Sequence, residues 1–457
     1  MRTLALLLGI AALVTHAETQ NMPPTVEVEE DVYTFTPAGN GAGPMWCHGS
    51  TCLVRIGDDV FASGLETLPD AKPLNNCRWT LYKRGTAGWE LQQTDKSGRT
   101  REPCPLATLP NGKLMLSTNP TLVPGQRAGP ARPEILQFSA SDAKAAYQTL
   151  MPEWDGTPQF TEHSYRSFAA DAESQSLILL QNIGYTHAEW TLRDEARGQW
   201  IAHGKLAWPN GTEYDKPQPI RVCYPNVALK GKAAHFCGVS DIVEPYQKWR
   251  DAKRKITGRE WDYDFRRLFY TWCPDLTADK FEPWVEVASR DKTCGWIMPG
   301  DMWVAPNGDV HLIWNEKALD ERLRAEFYPN EKQSSALNYA LLRAGKVVSK
   351  RSLVLAEEGG SKEIPGRGRF HVTPDGRLFV FFYVGGLVSE NRLMELLPDG
   401  TNTPAVRVPL KHAFMEFFTA TVRAGSAPSF LLDVLGQRSG ASNTMSNTMS
   451  YARVRVK

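Results

Sequence analysis

What the chain lacks narrows its class before any motif is read. Across 457 residues the formal net charge is +1, and so weak a long-range field argues against a nucleic acid or an acidic membrane as partner. After residue 17 no stretch approaches the roughly 18 uninterrupted apolar residues of a membrane-spanning helix, so no integral membrane segment is expected. No Gly/Ser-rich or Pro-rich linker divides the chain, which counts against a string of separate β-sandwiches. None of the eight cysteines belongs to a CxxC pair, so zinc held by thiolates is disfavoured.

The N-terminus is read as a secretory signal peptide over residues 1–17. Arg2 supplies the positive charge, LALLLGIAALV the short apolar core, and Thr15, His16 and Ala17 a small-residue cleavage site before Glu18. The protein is therefore expected to be secreted or periplasmic, with residues 18–457 as one domain. An oxidising compartment favours disulfides, and the sequence-adjacent pairings are Cys47 with Cys52, Cys77 with Cys104, Cys223 with Cys237 and Cys273 with Cys294. Sequence does not fix that connectivity.

What is abundant is aromatic and turn-forming: 14 Trp, 14 Tyr, 18 Phe, 36 Gly and 31 Pro, a composition of strands and tight turns. One local pattern recurs seven times, an apolar run, a turn, and a second apolar run. The seven are CLVRIGDDVFAS, LATLPNGKLMLS, SFAADAESQSLILLQ, NVALKGKAAHFCGV, MWVAPNGDVHLIW, FHVTPDGRLFVFFY and ATVRAGSAPSFLLDVL, turning near Asp58, Asn111, Gln175, Lys230, Asn307, Asp375 and Ser426. Each unit leaves room for about two further strands, as CRWTLYKR and GWELQQTD do after the first hairpin. Seven units of four strands describe an all-β, seven-bladed propeller with antiparallel blades. TVEVEEDVYTF or YARVRVK is expected to close the ring. Short helical insertions are expected within 244–268 and 318–329, overhanging one face as a wall with affinity for anions or as solvated decoration. SNTMSNTMS reads as a low-complexity loop, and Asn210-Gly211-Thr212 fits a glycosylation sequon.

In a propeller, residues just before each first strand and just after each second strand converge on one mouth. That rule gathers His48 and Glu66; Arg101 and Asn119; His163, Arg166 and His187; Tyr224, Ser240 and Asp241; Asp301, Asn315, Glu316 and Lys317; Arg367, Arg369 and Tyr383; Glu416 and Arg438. His163 and His187 lie at equal distances from the turn at Gln175, so the hairpin brings both to the same end. Two histidines, a tyrosine and several arginines suit proton transfer beside an anionic group, whereas a metal ring would want more carboxylates and histidines at ligand spacing. No cofactor is required by such chemistry; a structural metal ion is left open.

HSYRSFAADAESQSLILLQNIGYTH followed by CYPNVALKGKAAHFCGVSD resembles the secreted seven-bladed propellers with BNR-type repeats, notably the ulvan lyases and related enzymes acting on rhamnose-uronate linkages. The resemblance implies a catalytic group of a His before one inner strand, a His after the next strand and a Tyr in a Tyr-Pro step of the following blade, matched here by His163, His187, Tyr224 and Pro225. It also implies an Arg after that blade's second strand, where this chain reads Val-Ser-Asp, with Ser240 or Asp241 in the cation's place. Arg166, Arg221 and Arg250 are then the nearest cations in sequence, with Arg101, Arg369 and His48 as further rim groups for binding substrate.

The leading expectation is a polysaccharide lyase cleaving a uronate-containing glycan by β-elimination, with an acidic polysaccharide or oligosaccharide as partner. His163 or His187 would take the proton, and Tyr224 would act as the acid or as a second base. A glycoside hydrolase, sialidase-like or rhamnosidase-like, is the alternative; it needs placed carboxylates, for which Glu66, Asp241, Glu316 and Glu416 are available, yet no intact S-x-D-x-G-x-x-W box is present. A non-catalytic glycan-binding propeller is the third reading.

Overall fold

In the computed structural model, which describes residues 23–439 and 445–456, seven four-stranded antiparallel sheets follow one another along the chain. They are the blades of a seven-bladed β-propeller. The innermost strands are, in order, Leu53–Ile56, Leu106–Thr108, Ser167–Asp171, Val222–Lys230, Trp296–Val304, Glu363–Val372 and Phe414–Thr419. Six of the recurrent sequence patterns are the inner hairpins of blades 1 to 6, and in three of their turns an Asn-Gly or Asp-Gly step supplies the positive φ, at Gly112, Gly308 and Gly376. The ring closes through both termini: Thr25–Thr34 is the outermost strand of blade 7, paired with Met445–Arg455.

Burial falls from the axis outwards. Ser176–Ile183 and Leu378–Gly386, second strands of blades 3 and 6, are buried on both faces, whereas Lys346–Glu357 at the rim of blade 5 is mostly exposed. The reason is that each inner strand packs against blades on either side, and the cores lie between blades. A separate cluster of buried side chains fills every one of the seven interfaces, for instance Phe381 with Phe417 between blades 6 and 7 and Leu81 with Leu114 between blades 1 and 2.

The seventh pattern departs from expectation. Phe414–Thr419 and Leu431–Ser439 pair as its hairpin, but 420–430 is no simple turn at Ser426. It enters the central channel and bonds to every other blade. Thr108 N–H donates to the Ala424 carbonyl and Ala170 N–H to that of Arg423; Arg55 N–H reaches Ser426, and Ser429 N–H donates to the Val372 carbonyl. The Arg423 side chain donates to Gly49 O, Val227 O, Asn226 and Asp301, the last at 2.5 Å.

Two further expectations are corrected. The eight cysteines are all buried and free. A bulge at Tyr224-Pro225 shifts the register of blade 4 so that Cys223 faces Val239 and Cys237 faces Asn226, which takes the two thiols out of opposition. The described part of SNTMSNTMS is strand, because the N-terminal strand covers it. The stretch read as a signal peptide, residues 1–17, lies outside the described residues.

The helical insertions are as read: α1, Gln247–Thr257, follows the second strand of blade 4, and α2, Glu321–Phe327, follows that of blade 5. They pack on each other through Trp249, Ala252 and Leu323 over Cys294. Among the described residues no helix is long and apolar enough to cross a membrane.

Two outcomes follow from this architecture. Arg423→Ala leaves the buried Asp301 carboxylate without its cation and is expected to lower unfolding free energy by about 3–5 kcal/mol in denaturant titrations, while Arg423→Met combined with Asp301→Asn, which removes both charges, loses less. Unfolding without reductant, followed by alkylation and mass measurement, should label all eight cysteines; in the native protein the thiols should resist, since burial pushes them up, Cys77 to about 11 and Cys52 to about 12.

Candidate functional site

The mouth opposite the hairpin turns is built by the residues that lead into the inner strands. Blades 4 to 7 each carry a register shift there, at Cys223/Asn226, Pro299/Asp301, Pro365/Gly368 and Phe414/Glu416. Such bulges re-aim side chains, and the residues they turn towards the axis include Tyr224, Asp301, Arg367 and Glu416. Tyr165 and Tyr224 both hold a left-handed backbone, φ 41° and 51°, which is uncommon for bulky side chains and persists only where surroundings enforce it. Gly49 is part of that enforcement. A Cβ there would lie 1.7 Å from the Pro225 carbonyl oxygen, so only glycine lets blade 1 approach blade 4 and set His48 beside Tyr224.

The result is an aromatic cage. The Tyr224 ring lies 5.2 Å from His48, 5.4 Å from Trp46, 5.3 Å from Tyr165 and 5.8 Å from Phe265. His163 joins it through Tyr165 at 4.4 Å and Trp46 at 6.0 Å. His163 and Tyr224 are therefore brought together across the blade 3–blade 4 boundary through rings that they share.

Three arginines edge the cage, and their partners differ. Arg221 is bound to Asp241 at 2.9 Å and lies under Tyr185, Tyr165 and Tyr263 at 4.0, 5.1 and 5.9 Å. Arg367 bonds Glu416 at 2.8 Å and reaches His48 Nδ1 at 3.2 Å. Among the described residues Arg101 has only neutral acceptors, the Asn40 carbonyl at 3.0 Å and His163 Nδ1. A guanidinium can only donate, so Nδ1 of both His48 and His163 is an acceptor and the neutral rings carry their hydrogen on Nε2.

Electrostatics follow from this placement. Burial, then the nearby Arg101 and Arg221 charges, push His163 down to about 3; burial with Arg367 and Arg369 likewise holds His48 well below the usual imidazole range. Burial, then Asp241, pushes the Tyr224 phenol up. At neutral pH the cage thus holds two neutral imidazoles and a protonated phenol beside guanidinium groups. Glu102, fully buried and bonded to Ser164 N–H at 3.0 Å, stands 3.9 Å from His163 Nδ1.

The other candidates are placed differently. His187 lies at the same end of blade 3, as the hairpin count implies, but it opens the third strand, and its ring bonds Thr186 at 2.7 Å and Glu189 at 3.0 Å. Arg166 is buried beneath the mouth, donating to the Pro103 carbonyl at 2.6 Å. Arg369 is buried too, tying the carbonyls of Phe417, Gly300 and His48. Arg250 is exposed on α1, near the Glu260 carbonyl. Sequence reasoning missed Trp46, Tyr165, Tyr185 and Phe265. Trp46 and Tyr165 each stand two residues from a rim histidine, a signal available from spacing; the other two join only through the fold. Among the described residues no group of three or more His, Cys, Asp or Glu side chains could hold a metal ion.

No protein-family model and no curated protein sequence matches the chain. Solved structures do. An ulvan lyase of polysaccharide lyase family PL25, bound to -[GlcA(1-4)Rha3S]-, superposes with a TM-score of 0.55 at 9% identity, over 94% of this chain and 96% of its own. A second structure of a PL25 ulvan lyase gives a TM-score of 0.53, again at 9% identity and over 94% of each chain. An α-L-arabinofuranosidase from Fusarium graminearum, in complex with an iminosugar inhibitor, gives 0.46 at 13% identity over 94% and 98%. At such identities the likeness is one of fold.

Proposed function

We propose that this protein is an exported polysaccharide lyase that cleaves a uronate-containing glycan by β-elimination. The observation that carries the reading is the Arg101–His163 contact, a guanidinium resting on a neutral nitrogen beside a protonated phenol. A carboxylate is a far stronger acceptor for a guanidinium than an imidazole nitrogen is. A uronate carboxylate binding Arg101 therefore displaces His163 Nδ1 and frees its lone pair. The carbon next to that carboxylate, which bears the proton to be removed, is then beside the freed nitrogen.

The elimination runs as follows. His163 Nδ1 takes the proton from the carbon α to the carboxylate, the C–H electron pair becomes the new C=C bond, and the bond to the glycosidic oxygen breaks. Tyr224 donates its phenolic proton to that oxygen. Arg101 holds the charge that builds on the carboxylate, and the buried Glu102 carboxylate steadies the imidazolium. The proton then returns from His163 to Tyr224 through solvent.

The hydrolase alternative finds less support. Each carboxylate available to it is engaged by an arginine: Glu66 by Arg78, Asp241 by Arg221, Glu316 by Arg290 and Glu416 by Arg367. A carboxylate so engaged has its oxygens committed to a guanidinium rather than free to meet a substrate. Within the same fold, the ulvan lyase that carries a glucuronate–rhamnose 3-sulfate ligand suggests alternating uronate and sulfated sugar as the first substrate to assay.

Two measurements test the reading. Digestion should yield unsaturated uronate ends, followed by their ultraviolet absorbance, and His163→Ala or Tyr224→Phe should reduce kcat by at least about 10²-fold; saturated products, or no product across a panel of acidic glycans, would overturn it. The neutral form of His163 is the active one, so activity falls as pH drops through its pKa. Free, that value is about 3; substrate carboxylate cancels the Arg101 charge and raises it. The acid limb of kcat should therefore lie at higher pH than that of kcat/KM.

A further inference from the structure

The elimination leaves one part of the rim unused. Two cavities adjoin the cage on the mouth side. One, of about 340 Å³, is lined by Tyr263, Phe265, Trp296, Lys317 and residues at the start of α2. The other, of about 320 Å³, is lined by Trp296, Lys317, Arg367, Tyr383 and Glu416. Trp296 and Lys317 border both, and they are direct cross-strand partners at the mouth end of blade 5. Side chains of such partners stand on the same face, in reach of each other.

Both cavities open on the cage already described. Phe265 touches the Tyr224 ring, the Tyr263 hydroxyl is 3.0 Å from that of Tyr185, and Arg367 meets His48. The outer wall is firm. Buried Glu244 is gripped by Arg266 at 2.8 and 2.9 Å and by Lys253 at 2.8 Å, which fastens α1 to blade 4.

The charges along this arc are nearly all spoken for. Lys253 and Arg266 pair with Glu244, Arg322 with Asp320, and Arg367 with Glu416. Lys317 is exposed, and among the described residues it is the cation of these two cavities with no hydrogen-bonded or ionic partner. An indole face beside an unpaired ammonium suits one ligand chemistry, a sugar ring with an apolar face and an anionic substituent.

We infer that Trp296 and Lys317 form a distal binding site for a second acidic sugar of the same glycan, so that the protein grips several residues of the chain and cuts within it. The inference rests on the lyase reading for the glycan's class, but its test reads binding and not turnover. Heat of binding is measured in the His163→Ala background for oligosaccharides of alternating glucuronate and 3-sulfated rhamnose, two and six residues long. The hexasaccharide should bind at least tenfold more tightly than the disaccharide, and Lys317→Gln and Trp296→Ala should each bring that ratio close to one. A ratio that survives both substitutions, equal affinity for the two lengths in the parent, or no binding of either length would overturn the distal site. Lys317 is exposed and its replacement does not touch the core, so Lys317→Gln decides the matter where Trp296→Ala fails to fold. Failure to form unsaturated products in the separate digestion would remove the elimination and leave this measurement standing.

Discussion

The buried contact between Arg423 and Asp301 is the constraint on which the propeller's axis depends. Seven inner strands standing around a channel pack chiefly on their neighbours in the ring, so something must set their distances from the centre. Here it is the 420–430 segment, whose backbone and side chains bond to all six other blades. Asp301 accepts from Met302 and Phe370 N–H as well as from Arg423, which satisfies a carboxylate that burial would otherwise make costly. Because Arg423 also holds the carbonyl of Gly49 and the amide of Asn226, it locates the residues adjoining His48 and Tyr224. The cage inherits its spacing from the axis.

Charge in the mouth is divided into two kinds. Arg221 and Arg367 have carboxylate partners and are fixed by them; their role is to shape the field and to keep the neighbouring imidazoles neutral. Arg101 rests on a carbonyl and a ring nitrogen, acceptors that an incoming anion can outcompete. Desolvation strengthens the distinction, since a charge in a low-dielectric cleft gains most from the first full counter-charge it meets. In the elimination we propose, a site built this way is quiet when empty and becomes basic at His163 when an anion binds.

Much of the fold was legible because propeller hairpins are local. Short turns between apolar runs, three of them Asn-Gly or Asp-Gly, identify six inner hairpins from sequence alone, and the convergence of their ends puts Arg101, His163, His48, Arg367 and Glu416 at one mouth. What escaped was non-local. ATVRAGSAPSFLLDVL reads as one more hairpin because nothing in it records that Ala424 lies against Thr108 and Ala170. SNTMSNTMS reads as a loop until Thr25–Thr34 is laid against it. The cysteine pairing fails for a different reason: counting residues about Lys230 cannot see the bulge at Tyr224-Pro225 that moves Cys223 and Cys237 out of register. Counting likewise gave His163 and His187 the same height along the axis but not the same radius, since one precedes the first strand of its blade and the other begins the third.

The Val-Ser-Asp step at 239–241 puts a carboxylate, not a cation, after the second strand of blade 4. The resemblance to ulvan lyases led us to expect an arginine after the second strand of blade 4. Asp241 stands there instead, and its N–H and carboxylate are both bonded to Arg221 at the start of the same hairpin, at 2.8 and 2.9 Å. The hairpin keeps a guanidinium, supplied from its other strand, but backs it with a carboxylate and covers it with Tyr185. An arginine so neutralised and so covered is a weak receptor for a substrate anion. In the elimination we propose, the task of receiving it passes across the cage to Arg101, and with it the choice of His163, the ring that Arg101 touches, as the group that takes the proton.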